Sequence, residues 1–313
     1  MFENKEMRQV YSETLCELAQ NDSRVVVLEA DLMKSSGTQV FKDKFPQRFI
    51  DVGVAEQSMI SVAAGLSNMG KIPFASSFTA FATRRPFDQI TISVAYAGLN
   101  VKIVAMDPGV TAELNGGTHM SFEDVALMRS IPGAVIVEPV DSIQLYQFMK
   151  QAYEMPGLVY MRVYRKTKEL FFNQDDKFTI GKGHLVKDGK DVTIVASGIM
   201  LKQALNAAQT LDKQGISVRV VNIHTVKPID KDIIIESAKK TGAVVVAENH
   251  NIINGLCSAV SEVLSENYPV IMSRIGVRDH FGEVGKVDFL MKKYKMTAED
   301  IVESAKDIIT KKR

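Results

Sequence analysis

Four short segments of the 313-residue chain hold side chains whose types and spacing could do chemistry. In Asp51-Val-Gly-Val-Ala-Glu56-Gln, a strand-like run passes through Gly53 into a helical pattern that begins at or near Glu56. A carboxylate there lies where open parallel sheets bind ligands, at the carboxyl end of a strand. By itself it reads first as an acid favoured by the helix dipole. The segment SSFTAFATRRPF (residues 76–87) sets Phe78 and Phe81 three apart, ahead of Arg84 and Arg85. Rings at helical spacing belong to a core more often than to a cofactor stack, and adjacent arginines usually face solvent. Asn115-Gly-Gly-Thr-His119 exposes a lone histidine on a flexible loop. It could donate a proton or contact a substrate near neutral pH, or simply satisfy its own loop. Finally, VYMRVYR (residues 159–165) ends an apolar strand on Arg162 and Arg165, each of which needs an anionic ligand or an internal carboxylate.

The elements that must position these residues alternate. Strand-like runs at 24–30, 49–54, 72–77, 101–107, 134–139 and 158–163 are apolar on both faces, as strands under two helical layers must be. Helical periodicity fills 5–20, 56–68, 82–97, 122–131 and 143–153. Ser121-Phe-Glu-Asp124 offers a capping signature and Asp141 a second N-cap. This alternation predicts an α/β fold built on a doubly wound parallel sheet over residues 1–168. A charged, glycine-bearing stretch at 169–190 predicts a linker, and 191–313 a smaller α/β domain. In the latter, strands are expected at 192–197, 218–222, 243–248 and 270–275, helices at 201–214, 231–241 and 255–267, and a helical tail capped by Thr297.

Composition bounds the function. At ~100–200 residues per domain the length suits two, and 46% hydrophobic with 24% charged residues suits two folded cores rather than disorder. A net charge of +1 gives no basic field for nucleic acid or a membrane surface. Cys16 and Cys257 form no CxxC pair, which fits a reducing cytoplasm and excludes a disulfide scaffold or zinc ribbon. The first ten residues lack a signal-peptide core, and the apolar run 90–106 is broken by Asn100 and Lys102, so no membrane span is expected. Leu28-Glu-Ala-Asp-Leu32 lacks the glycines of a dinucleotide-binding turn.

In order and spacing, GVAEQ, SSFTAF, GGTH and VYMRVYR resemble the pyrimidine-binding half of transketolase and its relatives. DVTIVASG, VRVVNIHTVKPID and VVVAENH resemble that family's C-terminal domain, so the likeness covers nearly the whole chain. The family's full-length members carry, ahead of this region, a GDG…N domain holding magnesium (or calcium) and the diphosphate of thiamine diphosphate. No GDG occurs here. The resemblance is therefore to the C-terminal subunit of a split transketolase, with an α2β2 heterotetramer as the expected assembly and the metal held mainly by the partner subunit. It implies that Glu56 hydrogen-bonds the aminopyrimidine and favours the imino tautomer that activates the thiazolium. It also implies that Phe78 and Phe81 stack on the pyrimidine, that Asp31 in ADLMKSS lines the cofactor pocket, and that Arg84 flanks it. Ser35 and Arg165, with Arg162 beside it, match phosphate contacts, and His119 matches the histidine at sugar hydroxyls and the reacting oxygen. The sequence itself supplies no metal-ligand set.

Three positions depart from the full-length pattern: Asp107 stands where a histidine is usual, Asn115 where an aspartate is, and Arg84 where an aromatic is. All three touch sugar recognition more than cofactor activation. The resemblance implies ketol transfer between sugar phosphates. The alternatives are a 2-oxo acid-using relative, such as deoxyxylulose-phosphate synthase or a dehydrogenase beta subunit, and a non-catalytic assembly subunit.

Overall fold

Strand β1 (Val25–Glu29) is buried throughout because helices cover both of its faces. The computed structural model describes residues 2–312. Side chains alternate along a strand, so Val25 and Val27 join one core with Met7, Val10 and Leu15 of helix Met7–Asn21. Val26 and Leu28 join the other, with Met59, Ile60 and Ala63 of helix Glu56–Asn68. Around β1 run β2 (Phe49–Asp51), β3 (Ile72–Phe78), β4 (Lys102–Met106), β5 (Val135–Val137) and β6 (Val159–Val163), all parallel. Their spatial order is 5-6-4-3-1-2. The chain leaves β1 toward one neighbour and returns to the other, which opens a crevice at the carboxyl ends.

The second unit holds β7 (His184–Lys187), β8 (Val192–Ala196), β9 (Val218–Asn222), β11 (Ala243–Asn251) and β12 (Ile271–Val277), in the order 12-11-8-9-7. Between β9 and β11, strand β10 (Thr225–Lys227) leaves this sheet and pairs antiparallel with β5 of the first. The two units therefore share hydrogen-bonded backbone, and the first sheet is mixed rather than purely parallel.

Several expectations change. The stretch expected as a linker contains β7, which pairs antiparallel with β9; its half-exposed edge position hides the apolar signal. The helix expected over 82–97 is two pieces, Thr79–Thr83 and a wide π-type helix Gln89–Tyr96, with Pro86 between them. Two short helices, Met33–Ser36 and Gln39–Lys44, had no readable periodicity. Asp141 does cap its helix, accepting from Ile143 N at 3.0 Å and Gln144 N at 2.9 Å, and Thr297 forms a capping box with Asp300. The helix Asp124–Ser130, by contrast, opens on Asp124 itself with Glu123 at its N-cap and no side-chain cap among the described residues, and Asp124 is engaged by Arg162.

That engagement corrects the expected role of Arg162. Its side chain is fully buried between internal carboxylates, not open to a substrate. Nε and Nη2 donate to Asp124 at 2.7 and 3.2 Å, and Nη1 donates to Glu138 at 2.5 Å. Nη2 also donates to the Asn249 carbonyl of β11 at 3.0 Å. The Tyr160 hydroxyl adds a bond to Asp124 at 2.7 Å, and the Tyr164 hydroxyl one to Glu138. Removing one member of such a set strands a buried charge. Arg162→Met is expected to cost about 3–5 kcal/mol, read as a lowered urea midpoint by far-UV circular dichroism. An unchanged midpoint would contradict the assigned role.

Candidate functional site

Glu56 opens its helix with its side chain turned inward, 3% exposed, and accepts from Arg85 Nη1 at 2.9 Å. The Arg85 guanidinium lies over the Phe81 ring, 4.3 Å from its centroid. Phe81 meets His119 edge-on at 4.9 Å, and His119 meets Phe78 at 5.9 Å. Over the Phe78 ring, at 4.9 Å, lies the guanidinium of Arg165, which pairs with Asp107. The strand ends thus lay out one strip: Glu56, Arg85, Phe81, His119, Phe78, Arg165, Asp107. Its middle is apolar and aromatic, and each end is a carboxylate–guanidinium pair.

The histidine is set by close backbone packing. His119 follows a 3₁₀ segment, Gly109–Asn115, and its Nδ1 lies 3.0 Å from Thr118 Oγ1. Arg84 Nη2 donates to the Thr118 carbonyl at 3.2 Å while its Nε pairs with Glu123 at 2.9 Å, clamping the loop. A Cβ on Gly117 would collide with the Gly282 carbonyl of the second unit, so only glycine fits. Between this loop and Asp279–Gly282 lies a cavity of about 370 Å³, reached by Arg84 and His280. A second, of about 240 Å³, opens beside Glu56 and Arg85.

A second cluster supports Asp31 and Ser35. Asp31 is exposed at a left-handed φ of 62° after β1, its N–H held by Asp51 Oδ1 at 2.9 Å. The same Oδ1 accepts from Gly53 N at 3.0 Å, tying the Asp31 turn to the approach to Glu56. Ser35 sits in helix Met33–Ser36, its carbonyl accepting from Arg8 Nη1 at 3.3 Å. Arg8 N in turn donates to the Arg165 carbonyl at 3.0 Å, which brings Ser35 to the Arg165 end of the strip. Beneath lies Glu29, whose Oε1 accepts from Ser36 at 2.5 Å and Thr38 at 2.7 Å, while Oε2 has no partner among the described residues. Burial pushes this carboxyl up to about 8, with the two hydroxyls pulling against it.

Of the residues singled out in the sequence, Glu56, Phe78, Phe81, His119, Arg165 and Asp107 come together. Arg84 does not reach Glu56, because it is held by Glu123 and Thr118; its neighbour Arg85, read as solvated, does. Arg162 lies in the interior. Asn115 is exposed at the end of its 3₁₀ segment and makes no side-chain hydrogen bond among the described residues. Asp107 is not free to meet a sugar: it pairs with Arg165, and burial pushes its carboxyl up while that cation pulls it down. Sequence reading gave no site role to Arg85, Arg8, Asp51 or Glu29. Only the polar Glu29 and Asp51 at strand ends left a signal that could have been used.

Residues 3–168 match the transketolase pyrimidine-binding domain, and residues 181–301 match the transketolase C-terminal domain. The chain belongs to the transketolase family. It is 55% identical over 98% of its length, and 95% of the relative's, to a 6-deoxy-6-sulfo-D-fructose transketolase subunit, SqwH, of a Clostridium species. It is 44% identical to a putative transketolase C-terminal section of Methanocaldococcus jannaschii, covering 95% of this chain and 94% of that one. It covers only 49% of human transketolase, at 30% identity. A solved structure of a split-gene transketolase, described as an inactive β4 tetramer, superposes with a TM-score of 0.90 at 46% identity, covering 99% of both chains.

Family membership implies thiamine diphosphate, and the Glu56 end of the strip fits its aminopyrimidine. The Arg85 guanidinium shows the fit: a flat group bearing N–H donors already lies on Phe81 with one donor on Glu56. Arg85 is half-exposed, so it can leave without disturbing the core.

Glu29 gives this region a pH dependence. Its folded pKa lies above the unfolded value of about 4.3, so the folded state keeps a proton that the unfolded state releases. The stability it contributes is full below that value and is lost as pH rises through about 8. Between pH 5 and pH 9, Glu29→Gln should gain on the order of 4 kcal/mol relative to the parent chain. Urea midpoints across that range test it, and parallel curves for the two proteins would refute it.

Proposed function

We propose that this chain is the pyrimidine-activating subunit of a two-chain transketolase that moves a two-carbon ketol unit from a ketose to an aldose. The observation that carries this is the buried Glu56 carboxylate at the end of an aromatic strip, within reach of a flat donor lying on Phe81. When bound, thiamine diphosphate supplies the carbanion that breaks and remakes the bond beside the ketose carbonyl. Glu56 holds a proton at the aminopyrimidine ring nitrogen, and its burial strengthens that bond by excluding water. Phe78 and Phe81 orient the ring and keep the strip dry. His119, with Nδ1 beside Thr118, keeps Nε2 for the substrate hydroxyl or the reacting oxygen.

Asp31 lines the cofactor end and Ser35 the sugar end. The diphosphate and its magnesium or calcium are assigned to a partner subunit carrying GDG…N, in an α2β2 heterotetramer. The split-gene relative described as an inactive β4 tetramer supports a requirement for a second chain. The SqwH relative makes a sulfonated ketose the first donor to assay. A cytoplasmic setting accords with the two unpaired cysteines, and no helix among the described residues is long and apolar enough to cross a membrane.

With the partner present, Glu56→Gln is expected to lower kcat by about 10²–10⁴ in an aldose-exchange assay. Carbon dioxide release from a 2-oxo acid in place of exchange would favour a decarboxylating relative instead, and a Glu56→Gln complex as active as the parent would leave an assembly role. In calorimetry, the chain without its partner should show no micromolar, magnesium-dependent binding of thiamine diphosphate. Such binding would overturn the two-chain reading.

A further inference from the structure

The sugar end of the strip carries three cations, and each has a carboxylate of its own. Arg165 Nε pairs with Asp107, Arg8 Nε pairs with Glu6 at 2.6 Å, and Lys166 Nζ lies 3.6 Å from Glu113. Asp107, Glu113 and Lys166 line one pocket and Arg165 pairs with Asp107, so these four side chains form one electrically balanced patch, to which the Arg8–Glu6 pair is joined through the Arg8 N–H on the Arg165 carbonyl. Within it, Arg165 keeps donors to spare. Nη1 and Nη2 make no hydrogen bond among the described residues, because Asp107 takes only Nε and the backbone N–H. A guanidinium with two free N–H edges invites an anionic or strongly accepting group. A neighbouring carboxylate, buried and close, limits how much negative charge that group can bring.

Resting on the ketol-transfer reading above, we infer that Asp107 is a specificity-determining residue that selects donors whose terminal carbon bears a single negative charge over donors bearing a dianionic phosphate monoester. A singly charged sulfonate takes the two free edges of Arg165 and leaves the patch at minus one. A phosphate dianion at the same place leaves it at minus two, with the second charge facing Asp107. Glu113 and Glu6 act in the same direction from farther out and in more water, so their effect is smaller.

The test uses the complete two-chain enzyme with two ketose donors of one carbon skeleton, a 6-sulfonate and a 6-phosphate, and one aldose acceptor. The parent enzyme should show the lower KM for the sulfonate, with kcat values for the two donors alike. Asp107→Asn should raise kcat/KM for the phosphate relative to the sulfonate by about tenfold or more, through KM rather than kcat. Glu113→Gln, whose site is less buried, should shift the same ratio by about two- to threefold, and it decides the matter alone if the Asp107 variant fails to fold. An active parent enzyme that prefers the phosphate, or a ratio that neither variant moves, overturns the inference and leaves ketol transfer standing. A parent complex that transfers nothing from either donor overturns the proposed function and this inference with it.

Discussion

A guanidinium with no exposed surface can exist in a folded chain only if its charge and its donors are met where it lies. Arg162, carried on β6, meets that condition with groups from three places: Asp124 after the histidine loop, Glu138 after β5, and the Asn249 carbonyl on β11. Since all must converge on one planar group, the arginine fixes where the histidine loop ends and where the second unit approaches the first sheet. His119 is five residues from Asp124, so the geometry of the site is referred to this buried pair. Its worth lies in this fixed arrangement more than in stability, because a buried ion pair is often no more stabilising than a well-packed apolar substitute.

The same compensation of charge recurs at the surface of the crevice in a form that can change. Glu56 is as buried as a core carboxylate, yet its partner Arg85 is half-exposed. A pair with one mobile member can exchange that member for a ligand offering the same flat donors. Arg165 differs: it is itself nearly as buried as its partner Asp107, so the pair stays together, and only the outer edges of the guanidinium remain for a ligand. One end of the strip is therefore built for replacement and the other for addition.

The sequence showed the layers and the site's frame for a common reason. Strands buried on both faces are apolar throughout, helices repeat every three or four residues, and ligands gather at strand ends. Glu56, Phe78, Phe81 and His119 were found on that basis together with the family resemblance. What escaped were pairings between distant residues. Nothing local in VYMRVYR distinguishes Arg162, which points into the interior, from Arg165, which lies over Phe78. The difference is one of alternation on β6 and of which carboxylates the fold brings near. Arg84 and Arg85 exchange expected places because Glu123, 39 positions from Arg84 along the sequence, captures the first. Strands β7 and β10 were missed because an edge strand or a three-residue strand carries too few buried positions to show a period.

The second unit then has a part that its own sequence does not suggest, since none of its residues enters the aromatic strip. Gly117 lies against the Gly282 carbonyl, and Gly109 lies against the Asn249 side-chain amide, so two glycines of the histidine loop and its approach are required by groups from the other unit. Asn249 holds both sides: its side chain accepts from Val110 N at 3.0 Å and donates to the Pro108 carbonyl at 2.8 Å, while its carbonyl takes Arg162. Strand β10, paired onto β5, resists the shear that would separate these contacts. A loop rich in glycine would otherwise sample many conformations. Pressed between its own sheet and the second unit, it keeps His119 edge-on to both phenylalanines, so the added domain sets the geometry of the aromatic strip.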